Sequence, residues 1–418
     1  MIAEAIGTDT QAVLLLTAAL GKRASGGEKP LMPSEYSALA EVMRKTNLRP
    51  ADLLRAASVC TIEALVAEVP SGKRGRIAAD RVIRLLERGG LLSLALTRWT
   101  NAGVWVLSRA DSMYPSRYKR VLRNSAPPIV FGVGPQALLE RGGVAVVGSR
   151  KPEPSSAKYA EAAGYWAAGV GMQVVSGAAR GVDELAMVAC AGAGGSSLGV
   201  VAESLLQQST RRQFRDPILE GRLALISSFD PETPFNVGNA MARNRWIYAL
   251  ADRGLVVACS EERGGTWAGA IEALRHSFPV FARRGNLDRP GNEALIQRGA
   301  IPIEDDFSLL VCLQVSPFAS ETTLKLTDAV RSEDPNIPNA SSLAEEIFSV
   351  VALLLLRMLH EPMTAKEVVD LTKLPKTLVD NWLKRLVVEQ RVTKVKTRFQ
   401  SSNMQDSIND QPSLFSGR

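Results

Sequence analysis

Metal ligands are scarce in this chain. Its 418 residues include two histidines, His276 and His360, and four cysteines, Cys60, Cys190, Cys259 and Cys312. The cysteines lie far apart in apolar contexts and none belongs to a CxxC pair. That spacing argues against a zinc site or a disulfide framework, and for buried free thiols in a reducing cytoplasm. No metal and no other cofactor is expected. Aromatic residues make up 6%, too few for a surface built from many stacking rings. No apolar run is long enough to cross a membrane, which takes about 20 residues. The most apolar segment, 347–359, is shorter and contains Arg357. The N-terminal MIAEAIGTDT has no basic start of the kind a signal peptide carries. A soluble, cytoplasmic protein is expected.

What the chain does contain is ordinary globular material. It is 46% hydrophobic and 22% charged, enough for real cores, and its length suits two to four domains. The net charge of +7 is a moderate lean toward polyanionic partners.

Residues 1–100 carry apolar positions at roughly helical spacing, broken by a loop at 21–30 and by Arg49-Pro50. They read as a small helical domain. It is equally compatible with a helix-hairpin-helix or SAM-like DNA contact and with a protein-contact or packing role. From Trp105 the pattern changes. Short apolar runs at 144–147, 172–175, 198–201, 223–226, 255–259 and 279–282 alternate with helix-like segments near 155–170, 183–191, 239–252, 266–276 and 292–298. Continuous apolar strands between helices define an α/β fold, a doubly wound and mainly parallel sheet over 101–315. Ligands of such sheets bind beyond the carboxyl ends of the strands. Residues 316–342, rich in Pro, Ser, Asn and Asp, form a linker. Three helices and an alternating basic ribbon then fill 343–400, the pattern of a winged helix. In it Thr364 and Glu367 are spaced as a capping box, and Leu371, Leu374, Leu378, Trp382 and Leu386 read as core. A polar tail, 401–418, closes the chain.

Three loops at strand ends could carry chemistry. Gly148-Ser149-Arg150 follows the first long run, and Ser176-Gly177-Ala178-Ala179-Arg180-Gly181-Val182-Asp183 follows the next. Small residues there allow close approach, and the helix that follows offers unpaired N–H groups to an anion. With Arg150 and Arg180 beside them, the two adjacent strand ends read as one anion site. Asp183 reads as the cap of its helix. Arg243-Asn244-Arg245 opens toward the same edge, and a guanidinium fork matches two phosphate oxygens. Gly264-Gly265-Thr266, after Arg263, adds N–H groups and a hydroxyl. No lysine follows as in a P-loop, so NTP hydrolysis is not indicated. No catalytic residue is assigned.

These motifs in this order, together with Leu295-Ile296-Gln297-Arg298-Gly299-Ala300, Tyr114-Pro115 and Pro127-Pro128, resemble those of the DNA-processing protein A (DprA/Smf) family from about Trp105 to Ile303. The resemblance implies an extended Rossmann-like domain, often with an N-terminal helical domain and a C-terminal winged helix. It implies a homodimer that binds single-stranded DNA through its phosphates and helps load a RecA-type recombinase. The phosphate contacts then fall to Gly148, Ser149, Arg150, Ser176, Gly177, Arg180, Gly181, Arg243, Asn244, Arg245, Gly264, Gly265 and Thr266. The chain departs from the family pattern at Met187, where His is usual, at 200–204, at Arg283-Arg284-Gly285 and in 207–222, which lacks a Tyr-Pro. It reads as a divergent member. The rival reading is a nucleotide sensor or an enzyme cleaving the nucleotide N-glycosidic bond, to which Gly264-Gly265-Thr266 with Glu272 is also similar. One glycine of that pattern is missing and the Glu spacing differs.

Two further features lie outside that region. Lys384, Arg385, Lys394, Lys396 and Arg398 form a basic face on the winged helix, suited equally to duplex DNA and to a protein partner. In the tail, Gln411, Leu414 and Phe415 resemble the short peptide by which replication proteins dock on the sliding clamp, with Leu414 and Phe415 as apolar anchors in a polar segment.

Overall fold

The structure is a computed structural model. It describes residues 6–20, 28–55, 58–71, 76–285 and 290–304, positions 307 and 310, and residues 352, 355–356, 358–359, 361–372, 376–389, 391–395 and 397–401. The chain divides into two compact units, Met1–Glu321 and Thr322–Arg418.

The first unit is a mixed α/β structure built on one nine-stranded sheet. The strands are β1 (Trp105–Ser108), β2 (Ile129–Val133), β3 (Val144–Gly148), β4 (Val174–Ser176), β5 (Ser197–Val200), β6 (Leu223–Ser227), β7 (Arg253–Ala258), β8 (Val280–Arg283) and β9 (Ile301–Ile303). Their spatial order is β1-β2-β6-β5-β4-β3-β7-β8-β9. From β6 to β9 every pairing is parallel, whereas β2 joins β6, and β1 joins β2, antiparallel. Successive strand residues face opposite sides, and both sides are packed. Val144, Val146, Leu223, Leu225, Leu255 and Val257 enter one buried cluster. Ala145, Val147, Ala224, Ile226 and Val256 enter the other. This is why the strands read as unbroken apolar runs.

The first cluster is covered by α7 (Pro154–Gly169) and α8 (Val182–Gly192) through Tyr159, Ala163, Ala186 and Met187. The second is covered by α11 (Val237–Leu250), α12 (Gly264–Arg275) and α13 (Gly291–Gln297) through Trp246, Ile247, Trp267, Ala270 and Leu295. These elements fall within a few residues of the predicted runs. Two short helices between β5 and β6, α9 (Leu205–Ser209) and α10 (Arg212–Leu219), have no counterpart in the apolar pattern. Their sequence is polar, and α10 contains Pro217.

The N-terminal helices α1 (Thr8–Thr17), α2 (Pro33–Lys45), α3 (Ser58–Glu68), α4 (Ala79–Leu86) and α5 (Gly89–Asn101) share the first cluster with the sheet, through Leu14, Leu16, Leu39, Leu85 and Trp99. Helix α6 (Ser116–Leu122) follows β1. Asp111 fastens α1 to β1. Its Oδ2 accepts from Thr10 Oγ1 (2.6 Å), Ser108 N (2.6 Å) and Ser108 Oγ (2.9 Å). Asp111→Ala strands these donors, and the expected loss is about 1–3 kcal/mol, read as a lower urea midpoint with unchanged slope. Of the cysteines, Cys190 and Cys259 are buried as expected but Cys60 is exposed, because it lies on the outer face of α3. Cys312 lies outside the described residues.

The second unit contains α14 (Ala365–Thr372), α15 (Lys376–Val388) and a small antiparallel sheet of β10 (Met363–Thr364), β12 (Arg398–Ser401) and β11 (Val392–Val395). The capping box is present: Thr364 N donates to Glu367 Oε2 (2.7 Å) and Glu367 N to Thr364 Oγ1 (3.3 Å). The core holds Leu355, Leu359, Val368, Val379, Leu383, Leu386, Val392 and Phe399, with Trp382 against it. Leu371, a core position by its sequence pattern, is instead 64% exposed, since α14 turns Val368 inward. The side chains of Leu374 and Leu378 lie outside the described residues.

Candidate functional site

In chain order, β4, β5 and β6 add to one side of β3, and β7, β8 and β9 then add to the other. The strand order therefore reverses between β3 and β7, and a crevice opens there at the carboxyl ends. A cavity of about 380 Å³ occupies that place. Gly148, Ser149 and Arg150 from the end of β3, Ala258, Cys259 and Ser260 from the end of β7, and Arg263, Gly264, Gly265 and Thr266 at the start of α12 all line it. Phe235 and the first turns of α11, including Arg243 and Asn244, form the opposite wall.

Asp183 organises the loops. Its place in the sequence suggests the cap of α8, but the cap position belongs to Gly181, and Asp183 is buried in the first turn. Its carboxylate accepts from Gly148 N (3.3 Å) at the end of β3 and from Gly177 N (3.2 Å) after β4. Arg243 Nη1 lies 3.7 Å away. Burial pushes the Asp183 carboxyl up from its ordinary value, opposed by Arg243 and the two N–H groups. Burial likewise pulls the Arg243 guanidinium down, opposed by Asp183. The ion pair and the desolvation act against each other here. Donors on three sides of the carboxylate favour the charged pair as the ground state.

Other loop groups are also used internally. Thr266 Oγ1 donates to Gly148 O (3.1 Å), and Asn244 Nδ2 donates to Gly265 O (2.7 Å), so α11 and α12 are tied to β3. Ser176 Oγ donates to Val146 O (2.5 Å) within the sheet. What remains open toward the cavity is the orphan N–H end of α12, with its partial positive charge, and two exposed arginines, Arg150 and Arg263. The Arg150 guanidinium rests 4.7 Å over the Phe235 ring.

Of the residues that the sequence pointed to, the structure brings together Gly148, Ser149, Arg150, Arg243, Asn244, Gly264, Gly265 and Thr266 around the cavity. Ser176, Gly177, Gly181, Arg180 and Arg245 are not among the lining residues. Gly177 lies beneath the Arg243 guanidinium, and Gly181 lies beneath the Ser149 and Arg150 backbone. Arg180 is exposed beside the β4 end, and Arg245 is half-buried with its Nε on Ala242 O (3.2 Å). The strand order reverses at β3 and brings the β7 end into the cavity beside the β3 end, while the β4 loop and the start of α8 contribute Ala179 and Asp183. Sequence reasoning missed the apolar rim of Phe235, Val237 and Met241. The first turn of α11 has no apolar period, and Asn236, whose Oδ1 accepts from Gly238 N (2.7 Å) and caps it, was the signal available. Met187 is fully buried against β5, within reach of Gly199, and not among the lining residues. Glu272 is exposed on α12 and does not line the cavity either. In the second unit, Lys384, Lys394 and Arg398 are exposed, and Arg385 pairs with Glu389 (2.9 Å). Lys396, Gln411, Leu414 and Phe415 lie outside the described residues. Among the described residues no His, Cys, Asp and Glu group could hold a metal, and no helix is long and apolar enough to cross a membrane.

A doubly wound sheet with glycine loops and arginines at its switch point places the chain among the Rossmann-like α/β proteins. The family model for DNA recombination-mediator protein A matches residues 105–314, and the chain belongs to that family. It is 29% identical over 228 residues to the DNA processing protein DprA of Bacillus subtilis, covering 52% of this chain and 75% of that protein. It is 32% identical over 193 residues to Protein Smf of Escherichia coli, covering 45% of this chain and 51% of Smf. The X-ray structure of DprA from Streptococcus pneumoniae superimposes with a TM-score of 0.53 at 22% identity, covering 72% of this chain and 95% of that one. At that identity the likeness concerns the fold.

Proposed function

We propose that the carboxyl edge of the sheet binds single-stranded DNA by its phosphates, and that the chain assists the loading of a RecA-type recombinase onto that strand. One observation carries this reading. Arg150, Arg263 and the N-terminal turn of α12 converge on one open cavity at the switch point. Those groups are donors without sequence preference, which suits a backbone and not a base code. The names of the relatives, DNA processing proteins, agree with it. Asp183 is the only carboxylate of the described lining, and it is engaged with Gly148, Gly177 and Arg243. The rival glycosidic-bond cleavage therefore has no free acid at the cavity to work with.

Fluorescence anisotropy with a labelled oligothymidylate tests the proposal. Arg150→Ala with Arg263→Ala weakens binding, and the salt dependence of log K flattens by about 0.7 for each phosphate no longer neutralised. Unchanged affinity and slope in the double variant refute the assignment. Arg180, exposed at the neighbouring strand end, belongs to the same basic edge in this reading.

The remaining parts are assigned in the same spirit. Residues 1–100 and 101–315 act as a helical and a DNA-binding domain, and 316–342 links them to a winged helix over 343–400. Support for the winged helix comes from α14, α15 and the ribbon β11–β12, with Lys384, Lys394 and Arg398 on its exposed basic face. Homodimerisation follows from the family resemblance, and docking to a sliding clamp from Gln411, Leu414 and Phe415 in the sequence.

A further inference from the structure

The two antiparallel strands at one end of the sheet bring a second basic surface to the edge that carries the cavity. β2 runs against β6, with Phe131 opposite Ser227 and Val133 opposite Leu225, so β2 begins at the carboxyl edge. β1 runs against β2, with Ser108 opposite Ile129, so β1 ends there. Residues 105–125 hold five basic side chains and one acid, Asp111. Asp111 is engaged by Thr10 and Ser108, and Arg117 pairs with Asp252 (2.8 Å). Arg109 follows β1 directly, and its N–H donates to Pro128 O (3.1 Å). Its side chain lies near two phenols. Burial raises Tyr36 and Tyr114 above their ordinary value, and the Arg109 charge opposes that rise in both. Lys119 Nζ stands 5.4 Å over the Tyr114 ring. No described carboxylate forms an ion pair with Arg109 or Lys119. The turn after α6 is fixed against α2, where Ser37 Oγ donates to Asn124 O (2.9 Å).

Arg123 adds a second, independent observation. It is exposed and closes α6 with φ 49° and ψ −119°, a conformation suited to glycine that strains any other residue. A long cationic side chain at an exposed position where glycine would relax the backbone points to a use for that side chain. Tyr114 and Tyr118 are buried. The surface therefore offers cations to phosphates and no ring on which a base could stack.

We infer that Arg109, Lys119 and Arg123 form a second phosphate-contact site, onto which a DNA strand seated in the cavity lays its backbone once it is long enough to cross the ends of β4, β5 and β6. The inference rests on the phosphate reading above and extends it to a surface outside the cavity. β1 stands five strands from β3 in the sheet order, about 24 Å at the usual strand spacing of about 4.8 Å. At a rise of about 3.4 Å per nucleotide that span takes about seven nucleotides. Arg180, exposed at the β4 end, lies on the way.

Titration of the full chain with a thymidylate tetramer and a thymidylate 20-mer tests the inference, because only the longer strand reaches both sites. Lys119→Gln with Arg123→Gly leaves the affinity for the tetramer unchanged. It weakens the 20-mer about ten-fold and flattens its salt slope by about 1.4, two phosphates at about 0.7 each. Adding Arg109→Gln flattens the slope by about 0.7 more. Arg123→Gly alone unfolds at a urea midpoint no lower than wild type, since it relieves the strained backbone, yet it weakens the 20-mer a few-fold. A merely structural Arg123 would not separate stability from binding in that way. Wild-type affinity and slope for the 20-mer in the Lys119 and Arg123 variant, or an equal loss on the tetramer, overturns the inference. The cavity reading then stands if Arg150→Ala with Arg263→Ala still weakens both oligonucleotides. If that cavity variant changes neither, the phosphate reading falls and the inference with it. A 20-base-pair duplex that loses more than the 20-mer in the Lys119 and Arg123 variant moves the surface to duplex DNA and overturns its assignment to the strand in the cavity.

Discussion

Asp183→Ala lowers the unfolding free energy of the first unit by about 3–5 kcal/mol, the scale of a broken buried ion pair. The reason lies in what the substitution leaves behind. Arg243 is 5% exposed and loses its facing carboxylate, while the N–H groups of Gly148 and Gly177 lose their acceptor. Removing the opposite partner has a different signature. Arg243→Met takes the buried cation away and keeps the two N–H bonds to Asp183, but leaves that carboxylate without its counter-charge. The double variant removes both charges, so its cost falls well short of the sum of the two single costs. Urea unfolding followed by tryptophan fluorescence on all four proteins measures the coupling. Additive costs, or an Asp183→Ala protein within about 1 kcal/mol of wild type, would falsify the role given to the pair. Arg243→Ala also weakens oligonucleotide binding, but by loosening three loops at once and not by removing a cation from a phosphate. Its salt slope therefore stays closer to wild type than that of the Arg150 and Arg263 variant.

The pair also shows what the sequence could and could not reveal. The sheet was legible because strands covered on both faces are written as continuous apolar runs, and Val144, Val174, Leu223 and Leu255 all lie in such runs. The glycine loops were legible because they follow those runs directly. The division of labour among the arginines was not. Arg150 and Arg243 are both arginines near glycine, yet one is exposed over Phe235 and the other is buried on Asp183. That difference depends on which strands neighbour each other, and strand order is not a local property of the chain. The same holds for the cavity walls. Adjacent loops in sequence, after β3 and β4, suggest one site, and the reversal at β3 adds the β7 loop to it, leaving Ala179 and Asp183 as the share of the β4 loop and the start of α8. Asp183 looks like a cap because position in a helix is local, whereas its true partners, Gly148 and Arg243, are 35 and 60 residues away. Phe235 and Met241 gave no signal, since an exposed apolar residue in an unperiodic stretch looks like any loop residue.

The second large effect is expected at Gly181. Its φ is 93° and its ψ −135°, a conformation essentially reserved for glycine that costs any other residue about 1–3 kcal/mol. Geometry adds to that cost. A Cβ at Gly181 would lie 2.4 Å from Ser149 O and 2.8 Å from Arg150 O. Both obstacles are backbone, so no side-chain rotation relieves them, and overpacking of this kind costs about 1–3 kcal/mol more. Ser149 O is also the acceptor for Val182 N at 3.1 Å, the bond that joins the β3 loop to the start of α8. Gly181→Ala must push that loop outward, and Arg150 moves with it. Stability and oligonucleotide affinity therefore fall together. Gly264→Ala provides the contrast. Gly264 also has positive φ, 81°, but a Cβ there meets nothing within 4 Å, so only the backbone strain of about 1–2 kcal/mol applies. Urea midpoints and anisotropy on the two variants separate strain from collision. If Gly181→Ala is no less stable than Gly264→Ala and binds as wild type does, then the β3 loop does not depend on the close approach of α8, and the placement of Arg150 must have another cause.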